Sequence, residues 1–170
     1  MLNVPVQAKP FNPANVVDVV VIDSALKDQD LLKRAGDNAD RYFFFDKKND
    51  SAESIINRIT HWSIQSQNVI HSISILSHGE KGSFQFGNEK ISVTTLLTDN
   101  TIWKKLSHFL SNKSNIYIYS CNTGSSTQGQ QLLTSLTNIT GANVFASNNI
   151  TGLNGDWNLE VSSTNASAPY

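Results

Sequence analysis

The apolar positions of this chain fall into short runs separated by stretches of helical spacing. Val16-Val17-Asp18-Val19-Val20-Val21-Ile22 is a β-branched run suited to a buried parallel strand, and Asp23-Ser24 ends it with turn chemistry. A helix is expected from Asp28 to Ala35, stopping near Gly36. Arg41-Tyr42-Phe43-Phe44-Phe45 reads as a second strand. Ser51 with Ser54 opens a helix through Trp62, in which Ile55, Ile56, Ile59 and Trp62 recur at helical spacing. Val69 to Leu76 reads as a third strand, closed by Ser77-His78-Gly79. Gly82 to Ile91 alternates around Gly87-Asn88, the signal of a small hairpin.

Helical segments are expected over Val93 to Leu97 and Ile102 to Leu110. The fourth strand, Asn115 to Tyr119, runs straight into Ser120-Cys121-Asn122. Ser126 to Thr140 reads as a helix with Leu132, Leu133 and Leu136 inward and Gly141 as its stop. Val144 to Ala146 and Trp157 to Val161 complete a set of six strands. Strands alternating with helices at this spacing predict an α/β domain: a mostly parallel six-stranded sheet, helices on both faces, and a hairpin after the third strand. Residues 1–15 hold three of the four prolines and read as an extended arm, 16–162 as the domain, and 163–170 as a loose tail.

Composition narrows the partners. The 13 Lys and Arg nearly balance the 14 Asp and Glu, for a net charge of −1, so no broad basic footprint for nucleic acid exists. No apolar run approaches the roughly 20 residues of a membrane span, and no signal peptide is visible at Met1 to Gln7. The one cysteine, Cys121, excludes an internal disulfide and a cysteine-based zinc site, and neither a metal nor another cofactor is expected. The thiol is then either packing or a nucleophile.

In open parallel α/β sheets, functional groups gather at the carboxyl ends of the strands. Three strand ends carry chemistry: Asp23 after the first, His78 after the third and Cys121 after the fourth. If the third and fourth strands are neighbours, about 5 Å apart, imidazole and thiol come within reach of each other. An imidazole that accepts the thiol proton activates a nucleophile which is otherwise only a small fraction thiolate at neutral pH. Gly79 lets the backbone approach a substrate carbonyl, and the N–H groups of Gly79 and Cys121 could donate to a developing oxyanion.

These segments carry a resemblance. Ile75-Leu76-Ser77-His78-Gly79 and Tyr117-Ile118-Tyr119-Ser120-Cys121-Asn122-Thr123-Gly124 resemble the two signature segments of the caspase-like cysteine peptidases (clan CD). That superfamily includes caspases, metacaspases, legumain, gingipain, clostripain, separase and the self-cleaving domain of large bacterial toxins. Val19 to Ser24 and Gly152 to Glu160 further resemble the opening and closing segments of an uncharacterised bacterial domain of this kind, found near the N-terminus of large repeat-rich surface or secreted proteins. The resemblance covers about Val16 to Val161 and implies a caspase-like three-layer sandwich. It implies Cys121 as nucleophile, His78 as general base and acid, and Gly79 with Cys121 as the oxyanion hole. Asp23 and Asn122 are then substrate-binding, and an acid at Asp23 would favour Arg or Lys before the scissile bond. The implied partner is a polypeptide, including the parent chain itself, in a secreted or surface protein. Cys121 departs from the caspase pattern in being followed by Asn122-Thr123-Gly124.

Plainer readings stand beside these. Free cysteines are commonly buried packing, and Asp23 can simply cap a turn. His61 and His108 read as helix-surface or packing residues and His71 as a strand residue; Asp156-Trp157 reads as a turn closure. The Asn-x-Ser/Thr patterns at Asn112, Asn138, Asn149 and Asn165 fit chance in so Asn-, Ser- and Thr-rich a chain. No Gly-rich phosphate loop follows the first strand, and no Gly-x-Ser-x-Gly elbow occurs. Beside a cysteine endopeptidase, the chain can be a non-catalytic module keeping that fold, or a flavodoxin-like ligand-binding domain.

Overall fold

The computed structural model describes residues 11–27, 39–152 and 155–163. Strand β1 (Asn15–Asp23) lies between β2 (Arg41–Phe45) and β3 (Asn68–Leu76), and β7 (Leu110–Tyr119), β8 (Asn143–Ala146) and β9 (Val161–Ser162) follow, giving the order β2-β1-β3-β7-β8-β9. All neighbours pair in parallel except β9, which runs antiparallel to β8. The α/β class and the mostly parallel six-stranded sheet are as the alternation of elements predicts.

The helices form where capping chemistry meets an apolar stripe. Helix α1 (Ala52–Ser66) starts at Ser51, whose side chain accepts the Ser54 N–H while the Ser54 hydroxyl accepts the Ser51 N–H. It continues past Trp62 until Gln67 takes a left-handed conformation (φ 53°). Helix α2 (Val93–Thr98) repeats the reciprocal cap with Ser92 and Thr95. Helix α3 (Thr101–Ser107) stops short of the expected Leu110, because the Phe109 carbonyl accepts the Ile70 N–H and Leu110 pairs with Ile70 in β7. Sheet pairing thus takes the backbone that helical spacing alone assigned to the helix. Helix α4 (Ser126–Thr140) ends on Gly141, as predicted.

Period-two alternation sorts the strand residues onto two faces. Val19 and Val21, Ile73 and Ile75, Ile116 and Ile118, and Val144 and Ala146 join one core with Ile55, Ile56 and Ile59 of α1, Leu96 of α2, Trp103 and Leu106 of α3, and Leu132, Leu133 and Leu136 of α4. All four described helices therefore cover that face. The opposite face carries Val20, Ile22, Leu76, Tyr117, Tyr119 and Phe145, with Leu26, Trp157 and Leu159 against them. The expected helix from Asp28 to Ala35 falls outside the described residues.

Two further expectations are corrected. The hairpin is a three-stranded sheet: β4 (Gly79–Glu80), β5 (Ser83–Phe86) and β6 (Glu89–Ser92), because the chain leaving His78 pairs back on Ser83 and Phe84. Its Phe84 and Phe86 pack with Phe45 and Trp103, ring centroids 5.2–6.3 Å apart, which seats the small sheet on the main core. The sixth strand is only Val161–Ser162. Asp156 accepts the Asn158 N–H, Trp157 packs on Tyr119 and Glu160 bonds Asn148 and Asn149, so this stretch follows its side chains instead of an extended pairing. The near end of the arm is fastened, with Phe11 on Phe109 and the Ala14 N–H on Gln67 O.

Candidate active site

The strand order changes direction at β1: β2 lies on one side and β3 on the other. Such a switch point opens a crevice at the carboxyl ends of the strands. Asp23 ends β1, and His78 follows β3. Cys121 follows β7, the next strand along.

The register puts His78 and Cys121 at the same step. Leu76 pairs with Tyr119, and the Ser77 N–H still reaches Tyr119 O at 3.4 Å. One residue on, the side chains continue the alignment: Ser77 Oγ and Ser120 Oγ lie 2.9 Å apart, both residues buried. His78 and Cys121 come next, with the same offset of 43 residues (121 − 78, as 119 − 76).

The loops carrying them touch. A Cβ built on Gly79 would lie 2.7 Å from Cys121 O, 2.7 Å from Ser120 Cβ and 2.5 Å from Thr123 Oγ1. Only glycine fits this approach. The small sheet clamps the loop from the other side: Thr123 Oγ1 donates to Ser83 O at 3.0 Å, and the Gly82 N–H donates to Thr123 O at 3.1 Å. The Gln85 N–H bonds His78 O at 2.8 Å, which makes Gly79 and Phe84 a non-hydrogen-bonded pair of the antiparallel ladder. The Gly79 N–H consequently points away from β5.

Asp23 is fully buried. Its Oδ1 accepts the Ala25 N–H at 2.9 Å, the turn cap anticipated as the plain reading. Its Oδ2 is buried with no hydrogen-bond partner among the described residues. An unpaired carboxylate oxygen out of water is costly unless something meets it. Asn122 adopts a left-handed backbone (φ 59°), with its N–H on Asn149 O at 2.8 Å and its carbonyl accepting from the Ser125 N–H.

The thiol itself is half-buried, and its hydrogen bonds go to Thr151, which the sequence marks only as the end of an Asn-x-Thr pattern. The Thr151 N–H donates to Cys121 Sγ at 3.4 Å, and Sγ lies 3.7 Å from Thr151 O. Among the described residues no hydrogen bond joins Cys121 to His78, whose side chain is exposed. Thr151 sits in a stretch without periodicity, and its Asn-x-Thr pattern carries no signal of a contact with the thiol. The Ser77–Ser120 pair also escaped sequence reading, since serine beside a strand end is unremarkable until its register is known.

A family model described as a domain of unknown function (DUF4347) matches residues 19–170. The chain belongs to that family. The match starts inside β1 and takes in Asp23, His78 and Cys121, so the three strand ends all lie within the family's extent. No curated protein and no solved structure matches the chain.

His61 and His71 are exposed on α1 and β3, and His108 is the exposed C-cap of α3. Among the described residues no group of three or more His, Cys, Asp or Glu is placed to hold a metal ion, and no helix is long and apolar enough to cross a membrane. A groove of about 860 Å³ lies elsewhere, between α1, β6, α2 and α3, lined by residues such as Glu53, Asn88, Glu89, Thr95 and Trp103. Among its polar groups, Glu89 caps α1 through the Ala52 N–H at 2.6 Å.

Proposed function

We propose that this domain is a caspase-like cysteine endopeptidase of three-layer architecture, working with His78 and Cys121. The observation that carries the reading is their shared step beyond the adjacent parallel strands β3 and β7, in loops packed against each other at Gly79. In this reading His78 accepts the thiol proton as Sγ attacks the scissile carbonyl carbon. The N–H groups of Gly79 and Cys121 hold the resulting oxyanion, each such donor being worth roughly 3 kcal/mol in known cases. The C–N bond then breaks, His78 protonates the leaving amine, and water releases the acyl group from sulfur. That the Gly79 N–H points away from β5, and so is not taken up by the small sheet, supports its role.

Asp23 supplies the specificity of this reading. Its unpartnered Oδ2, beside the switch-point crevice, favours a cationic Arg or Lys before the scissile bond. The carboxylate is closed to solvent, so a substrate side chain reaches it only once the residues covering it move. Asn122, next to the nucleophile, lines the same substrate path. The natural substrate is a polypeptide, the parent chain or a partner encoded with it, in a secreted or cell-surface setting. Cys121→Ala should abolish cleavage by the folded domain, and persistent cleavage in that variant would exclude the assignment.

The bonding of Sγ to the Thr151 main chain favours a second reading, a non-catalytic module that keeps the fold for structure or interaction. It predicts a thiol of ordinary reactivity, unchanged by His78→Ala.

A further inference from the structure

The residues after β7 are already occupied by peptide. The Asn122 N–H bonds Asn149 O at 2.8 Å, and Cys121 Sγ meets the N–H and carbonyl of Thr151. As the number rises from 121 to 122, the partner falls from 151 to 149. Asn149–Thr151 thus runs antiparallel across the turn that carries Cys121 and Asn122.

The strap is held at both ends. Asn149 Nδ2 donates to Asp156 Oδ2 at 3.1 Å and to Glu160 Oε1 at 3.0 Å, and the Asn148 N–H donates to Glu160 Oε2 at 3.1 Å. Ser147 Oγ, on a fully buried residue, donates to Asn149 Oδ1 at 2.9 Å. The far end is tied through the main chain, with the Asp156 N–H on Ile150 O and the Gly152 N–H on Asp156 O, each at 3.1 Å. Ile150 is 50% exposed, and the buried Thr151 hydroxyl has no partner among the described residues. Leaving that hydroxyl unsatisfied costs free energy that release to water would recover.

We propose that Asn149–Thr151 is an autoinhibitory strap: it covers the Cys121 thiol in the resting domain and must be displaced before a polypeptide reaches Sγ. The Asn149 side chain on Asp156 and Glu160, together with the Asp156 main chain on Ile150 and Gly152, is its latch. This rests on Cys121 being the nucleophile of the proposed peptidase, but the strap itself can be tested without turnover. Displacement frees Sγ and the Asn122 N–H together.

The test is the rate of Cys121 alkylation by iodoacetamide and by a bulky polyethylene-glycol maleimide. Folded wild type is compared with Glu160→Ala and with Asn149→Asp, which sets a carboxylate against two others. Loss of hydrogen bonds to charged groups should raise the maleimide rate by roughly tenfold or more, and the iodoacetamide rate by less. An unchanged maleimide rate in folded variants overturns the strap. A slower rate in both reagents overturns it too, since Thr151 would then be assisting the thiolate. If the variants do not fold, wild type alkylated at Cys121 is compared with untreated wild type by amide exchange. Faster exchange at Asn122 and Thr151 together supports displacement, and unchanged exchange refutes it. Because alkylation needs neither His78 nor a substrate, failure of the strap and failure of the peptidase reading give different results.

Discussion

Removing one hydroxyl from the Ser77–Ser120 pair should cost different amounts at its two ends. The two Oγ atoms are 2.9 Å apart, on residues 5% and 1% exposed, so water cannot replace a lost partner. Ser77→Ala leaves the Ser120 hydroxyl sealed without its bond, a penalty of about 1–3 kcal/mol. Ser120→Ala is milder, toward about 1 kcal/mol, because Ser77 Oγ keeps its 3.4 Å contact with His78 O. The double variant has no orphaned hydroxyl, so it should be more stable than the sum of the two losses implies, by on the order of 1 kcal/mol. Urea denaturation at fixed pH measures all four corners of the cycle. For a chain of this size each kcal/mol also appears as roughly 2–4 °C in melting temperature. Additive single losses would refute the coupling and, with it, the claim that the β3–β7 register extends to the step below His78 and Cys121.

Gly79→Ala should destabilise the domain by about 1–3 kcal/mol or displace the Cys121 loop, because the new methyl meets backbone as well as side chains; thermal melting together with thiol labelling checks it. Phe86→Ala empties the centre of the Phe45–Phe84–Trp103 cluster and should cost about 3–5 kcal/mol in denaturant unfolding. The Lys48 N–H and the Asn49 side-chain amide on Asp46 hold its carboxyl below the usual carboxylate range, so the fold gains from Asp46 above the unfolded value and loses that gain as pH falls through the lowered folded value; an NMR titration should find its midpoint below that of a free aspartate.

Much of this architecture is legible in sequence because strand runs and helical stripes are local signals. The β-branched run before Asp23 and the Ile55-Ile56-Ile59 stripe each needed only their own neighbours to be read. The failures are places where a distant partner decides. Phe109 and Leu110 fit a helix until Ile70 claims their backbone, and Trp157 to Leu159 fit a strand until Tyr119, Asn148 and Asn149 engage their side chains. In the site, Asp23, His78 and Cys121 were legible because strand ends are. Thr151 was not, because its contact with Sγ depends on how a non-periodic loop folds back over another strand's end.

The unsatisfied groups of this fold bear on whether it is a scaffold or an enzyme. A scaffold has no reason to keep a buried carboxylate oxygen without a partner, since burial of such a group is unfavourable and a turn cap needs only Oδ1 of Asp23. Local rules broken without a structural gain concentrate at functional sites. Among the described residues the buried side-chain oxygens without a partner are Asp23 Oδ2, Ser114 Oγ, Ser125 Oγ and Thr151 Oγ1, and two of these four lie on the first strand end and on the peptide that covers the thiol. If the peptidase reading is right, a substrate with a cationic side chain answers Asp23 while its backbone takes the strap's place at Asn122, relieving both defects in one binding event. Asp23→Asn tests this directly. The amide keeps an oxygen for the Ala25 N–H and removes the charge, so the fold should survive or gain stability. Labelling of Cys121 by an Arg-ended electrophilic peptide should lose its advantage over a Leu-ended one. A preference for the Arg probe that persists in Asp23→Asn would remove Asp23 from the substrate pocket while leaving His78 and Cys121 untouched.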